Sequence, residues 1–178
     1  GLTLRLGDDL FTTSAGTLTV LVNDLGNGGA PANLTDTDSI SFVFNPVNDG
    51  PVHSNESGLA TLTTNTVRTG LNVDVDDIDV AANNLTVTMS SAQGTISLGT
   101  VAGLTFSTGD GSNDATLIFS GNLTAINNAL GGFSFTPNLN FTGDARIEVT
   151  TSDNGNVGSG GPLLDTSNIF TTYTAIAN

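Results

Sequence analysis

Hydrophobic and polar residues alternate in short runs along most of this chain, and the runs end at Gly, Asn or Asp. A period of two is what a half-buried β-strand requires, because successive side chains point to opposite faces. The pattern predicts strands over 17–22 (TLTVLV), 39–44 (SISFVF), 58–63, 71–75 (LNVDV), 84–89 (NLTVTM), 94–98 (GTISL), 103–106, 115–119 (ATLIF), 132–136, 145–151 and 168–176. In NLTVTM, Leu85, Val87 and Met89 face inward and Thr86 and Thr88 face water. Turns are marked by Gln93-Gly94, Gly109-Asp110-Gly111 and Asn154-Gly155. Many short strands separated by such signals predict a β-sandwich. One segment departs from the period: Leu123, Ile126 and Leu130 recur at helical spacing and stop at Gly131-Gly132. That predicts one short helix crossing the end of the sandwich, its apolar residues belonging to the core.

The strand pattern also repeats. LTVLVNDLGNGG (18–29) matches IEVTTSDNGNVG (147–158), and LTDTDSISFVF (34–44) matches LLDTSNIFTTY (163–173). Asp24 and Asp153, Asp36 and Asp165, and Ile40 and Ile169 are each 129 positions apart (153 − 24). A period of that length is one domain, so the chain reads as a slice of a tandem array. Residues 1–49 are then the C-terminal third of a preceding repeat, and residues 50–178 are one complete repeat. Pro46 and Pro51 bracket the boundary and keep it out of a central strand. Gly1 falls in mid-repeat, so the chain is expected to be a piece of something longer.

Composition narrows the partners. Seventeen acids face three bases, Arg5, Arg68 and Arg146, giving a net charge of −14. That argues against nucleic acid or anionic membrane as a partner and suits bound cations as well as a merely solvated surface. The acids are nearly all Asp, which favours turns and loops. There is no cysteine, and a domain with a full core can fold without disulfides. No apolar run is long enough to span a bilayer, and no signal peptide is recognisable. Abundant Thr and Asn without Lys match many extracellular bacterial β-proteins. Five Asn-x-Ser/Thr sequons begin at Asn33, Asn55, Asn84, Asn122 and Asn140; they are glycosylation acceptors in a eukaryotic secretory protein and chance matches in a bacterial one.

Enzymatic constellations are missing. His53 is the lone histidine, in a polar stretch with no partner, and reads as solvated. No phosphate loop, GxSxG or HExxH occurs, so no enzymatic activity is expected. The acidic clusters carry more. Asp74, Asp76, Asp77 and Asp79 lie within LNVDVDDIDV. On a plain strand Asp77 and Asp79 point the same way and repel each other, a cost that a divalent cation removes. Asn48 and Asp49 in the linker and Asp153 in the SDNG turn add oxygens, and Asp24 repeats Asp153. A solvated acidic strand end is the alternative.

VNDGPV at 47–52 resembles the VNDAPV junction of cadherin-like tandem repeats in giant bacterial surface proteins. The resemblance continues through DDID, GLTFSTGDGSNDATLIFSG, NLTAINNALGGFSFTPNLNFTG and SDNGNVGSGGPLLDT. It implies an all-β, cadherin-like or immunoglobulin-like Greek-key sandwich in a tandem array, with Ca²⁺ at the junctions. Asn48-Asp49 resembles the linker Asn-Asp, Asp77-Ile78-Asp79 the Asp-x-Asp pair, and Asp153 the Asp before the last turn. Glu56 falls near the place of an N-terminal Glu ligand. The cadherin Asp-Arg-Glu motif is not recognisable, so one or two ions per junction are expected rather than three.

Three functions compete: a calcium-stiffened spacer or stalk of a secreted or cell-surface adhesin or filament, a glycan- or protein-binding module, and a hydrolase. Recognition modules present exposed aromatic patches. Here there is no Trp, a single Tyr, and Phe falls in strand patterns, so the spacer is the expected function. Its partners are neighbouring repeats or identical subunits end to end. Segments 17–22 and 39–44 should form a hairpin-like pair. Packing on the same chain, or strand completion by another chain, is expected to cover Val20, Val22, Phe42 and Phe44.

Overall fold

The computed structural model describes residues 14–27, 34–155 and 157–176, which form thirteen strands and one helix. An antiparallel hairpin comes first, β1 (Ser14–Asn23) with β2 (Thr35–Phe44). After the Pro46–Pro51 segment come β3 (Val52–Ser54), β4 (Ala60–Thr63), β5 (Arg68–Asn72), β6 (Asp74–Asp76), β7 (Asn84–Ser90), β8 (Gly94–Ser97), β9 (Thr105–Thr108) and β10 (Thr116–Asn122). Helix α1 (Leu123–Leu130), β11 (Gly131–Pro137), β12 (Gly143–Ser152) and β13 (Leu164–Thr174) complete the order.

The described residues are therefore mostly β with one helix. A six-stranded sheet runs β4-β13-β12-β7-β10-β9, a three-stranded sheet runs β5-β11-β8, and β3 pairs with β6. Both larger sheets feed one core. Leu85, Val87 and Met89 of β7, Leu117 and Phe119 of β10, and Ile147 and Val149 of β12 pack with Leu71, Ile96, Phe133 and Phe135 of the other sheet. Phe135 meets Tyr173 of β13 across the gap, their ring centroids 6.4 Å apart. Alternation does this sorting: in β7 the three apolar residues are buried and Thr86 and Thr88 are not, as the pattern predicts.

The helix lies where its spacing predicts. Asn122 caps it by accepting from the Ala125 N–H at 2.8 Å, and Ile126 and Leu130 are fully buried. Its Asn127 side chain behaves like a strand. Oδ1 accepts from Val75 N–H and Nδ2 donates to Val75 C=O, both at 2.8 Å. β6 thus has β3 on one side and a helix amide on the other. The 71–75 run, predicted as one strand, is cut at Val73, with β5 joining the three-stranded sheet and β6 turning to β3 and Asn127. β3 is three residues long, too short to show a period.

The repeat has a structural counterpart. β1–β2 and β12–β13 share one register: Ser14↔Phe44, Leu18↔Ile40 and Val22↔Asp36 become Gly143↔Tyr173, Ile147↔Ile169 and Thr151↔Asp165 on adding 129. Even the turns agree, with positive φ at Leu25 and Gly26 and at Asn154 and Gly155. What differs is burial. β12 pairs with β7 and β13 with β4, whereas β1 and β2 pair only with each other among the described residues. Val20 and Val22 are exposed, Val22 by 61%, while Phe42 and Phe44 are half-buried, stacked edge to face. Of the two expected coverings, packing on the same chain is not found among the described residues: no second sheet of them lies against this face. The filament idea drew its structural support from that covering, and loses it.

The Asn127 clamp yields a prediction. Asn127→Ala leaves the Val75 N–H and C=O unpartnered in a half-buried setting, and should cost about 2 kcal/mol. Urea unfolding is the check, and an unchanged midpoint would show that water replaces the amide freely.

Candidate metal centre at the linker

The linker is held by the loop that follows β12. Val47 bridges to Ser159, Asn48 N–H donates to Ser159 C=O at 2.9 Å, and Ser159 N–H donates to Pro46 C=O at 3.0 Å. Glycine is needed for this approach: a Cβ at Gly158, whose φ is +73°, would lie 2.7 Å from the Val47 carbonyl carbon.

Two groups of sequence-predicted residues meet here. In the first, Asn48 Nδ2 donates to Asp153 Oδ2 and to Gly161 C=O. Asp153 Oδ1 closes its own turn, accepting from Gly155 and Leu163 N–H at 2.8 Å each. Asp24 does the same in the first hairpin, accepting from Gly26 and Leu34 N–H at 2.9 Å. The Asp24/Asp153 repetition therefore has a turn-closing role in both hairpins. In the second group, Asp49 N–H donates to Asp79 Oδ2 at 3.0 Å, and Asp77 Oδ1 accepts from the N–H of Asp79 and Val80. Asp49, Asp76 and Asp77 line a groove of about 460 Å³ with Gly50, Val52 and Ile78.

Burial makes this second group costly. Asp77 is 5% exposed and Asp79 2%. Asp77 Oδ2 is buried without a donor, and so is Asn48 Oδ1. Loss of hydration, followed by the contact with Asp79, pushes the Asp77 carboxyl up to about 6. A buried carboxylate with a carboxylate neighbour is relieved by a proton or by a cation. The orphaned oxygens suit a hard, oxygen-seeking ion such as Ca²⁺. Among the described residues, no three His, Cys, Asp or Glu side chains gather into a group able to hold a metal. An ion here would need Asn48, backbone carbonyls or water besides the carboxylates.

The remaining candidates lie apart. Asp74 accepts from Asn55 and Asn72 at 2.8 Å each. Glu56 accepts from Ser167 at 2.7 Å, a bond that lowers its pKa. This places Glu56 beside His53, whose reading as solvated is corrected. The ring is 9% exposed, with Nδ1 3.0 Å from Ser167 Oγ and Nε2 2.8 Å from Thr151 Oγ1. Because the Ser167 hydroxyl donates to Glu56, Nδ1 carries the proton and Thr151 donates to Nε2. His53 N–H also reaches Asp165 Oδ2 at 2.6 Å. The inward alternation of β3 buries the ring, and a three-residue strand gives no pattern from which to read that. Burial lowers the His53 pKa, while Asp165 and Glu56 pull it upward.

No family model matches the chain, and no curated protein matches it either. Among the described residues no helix is long and apolar enough to cross a membrane.

The two buried titrations have opposite signs. His53 is depressed below 6.5, so its contribution to stability is complete above that pH and is lost as pH falls through the folded value. Asp77 is raised from 3.8 to about 6, so its contribution is complete below 3.8 and is lost as pH rises through about 6. In calcium-free buffer the urea midpoint of Asp77→Asn should fall as pH drops from about 7 to about 5, and that of His53→Gln should rise. Parallel slopes in the two variants would refute the assignment.

Proposed function

We propose that this chain is a spacer module of a secreted or cell-surface tandem-repeat adhesin. On this reading residues 50–178 form a cadherin-like Greek-key repeat, and residues 1–49 end the preceding one. The observation that carries it is the recurrence of one hairpin in one register at a step of 129 residues, with the buried acids at the junction between the two copies. A hairpin that repeats along the chain, with charge buried at the junction between its copies, suits a load-bearing rod. Asp49, Asp77 and Asp79, with Asn48, would hold Ca²⁺. The ion would supply positive charge where two carboxylates crowd, tying the linker to the sandwich and limiting bending. Asp153 supports the site by holding Asn48.

Extracellular calcium modules bind at roughly 10⁻⁴–10⁻³ M. Calcium at about ten times its dissociation constant should add roughly 1.4 kcal/mol per site. The melting temperature should rise with Ca²⁺, and Asp77→Asn with Asp79→Asn should reduce the rise. Removing residues 1–49 should weaken the site and leave the sandwich folded. A melting temperature unmoved by millimolar Ca²⁺ sinks the calcium reading.

A further inference from the structure

The exposed hairpin has a finished counterpart in the same molecule, and the comparison says what should cover it. The free edge of β12 pairs antiparallel with β7, from Glu148↔Ser90 to Ser152↔Thr86. β13 pairs in parallel with β4, from Thr171↔Ala60 to Thr174↔Thr63. One period of 129 lower, these edges are 19–23 and 42–45, which pair with no strand of the described residues. The core face of the finished hairpin, Ile147, Val149, Ile169 and Tyr173, corresponds to Leu18, Val20, Ile40 and Phe44. Its apolar character is kept, yet Val20 and Ile40 are exposed, Ile40 by 60%.

Departures between the two hairpins are matched in pairs. Ala145 and Thr171 face each other in the finished copy, and Gly16 and Phe42 in the exposed one. The Phe42 ring lies over Gly16, where any Cβ would collide with it. Loss of a methyl opposite gain of a ring preserves a packing surface. A face that only met water would have no use for that fit. Asp38 stands where Ser167 meets the His53 ring, so the covering segment should present a cationic or strongly donating side chain to it.

We infer that β1–β2 is the closing hairpin of a second sandwich, seated by an upstream segment of the kind that residues 50–130 represent. That segment adds a β7-type strand antiparallel along 19–23 and a β4-type strand in parallel along 42–45. It places a histidine or other cationic donor against Asp38. This rests on the tandem reading of the chain but not on calcium. β-strand addition supplies main-chain hydrogen bonds, and the apolar face supplies burial.

The test is an extended chain in which a copy of residues 50–130 precedes residue 2 of the full chain, in calcium-free buffer. Its added His53 meets Asp38. Amide hydrogen exchange over 19–23 should slow by about a hundredfold or more relative to the original chain, with β12–β13 unchanged. Val20→Asp in the extended chain should abolish the gain while leaving β12–β13 protected. Unslowed exchange over 19–23 in an extended chain whose β12–β13 amides stay protected overturns the proposal. So does protection in the original chain that grows with protein concentration, since the occupant would then be a second copy. A calcium-insensitive melting temperature bears on the metal reading alone.

Discussion

The register of β12 against β13 is the constraint on which the rest depends. It turns Ile147, Val149, Ile169 and Tyr173 into the core and, by the same alternation, Thr151 and Ser167 toward His53. The turn it generates places Asp153 against Asn48, which positions Asp49 over Asp79. A slip of one residue would send every one of these side chains to the opposite face. Core, histidine pocket and linker contact are therefore one cooperative choice.

Charge is managed differently in the two polar clusters beside this hairpin. Around His53 each ring nitrogen has a hydroxyl partner and Glu56 has the Ser167 donor, so the buried neutral imidazole is satisfied. At the linker two carboxylates are buried side by side and Asp77 Oδ2 has no donor. Burial without partners is normally selected against. Loss of hydration and the neighbouring Asp79 raise the Asp77 pKa to about 6. The contrast singles out the linker, rather than the histidine, as the place where the fold has an unmet electrostatic need.

The two hairpins form a natural comparison of one backbone in two environments. Both close their turns with an aspartate that accepts two backbone N–H groups, and both keep the same register. One is sealed between β7 and β4; the other exposes its apolar face. Local sequence is thus sufficient to shape the ribbon, while burial depends on what lies alongside it. Leu25 occupies the left-handed conformation that Asn154 takes in the finished hairpin, a conformation more costly for leucine than for asparagine.

Most strand positions, the inward face of β7, the helix at Leu123–Leu130 and the 129-residue period were determined by sequence alone, but not β3 or the break at Val73. Each follows from side-chain spacing, capping or turn chemistry within a few residues. That Asn48, Asp49, Asp77, Asp79 and Asp153 belong near one junction was an expectation from the linker, the acidic run and the family resemblance, without saying which of them touch. Tertiary structure decided how those residues divide: Asp153 closes a turn, Asp77 is left with an orphaned oxygen, and Glu56 and Asp74 go elsewhere. It also decided the burial of His53 and the use of Asn127 as a stand-in strand. Those contacts join residues far apart in the chain through short segments with no period of their own. Only the closing of two sheets around one core brings their polar groups within reach.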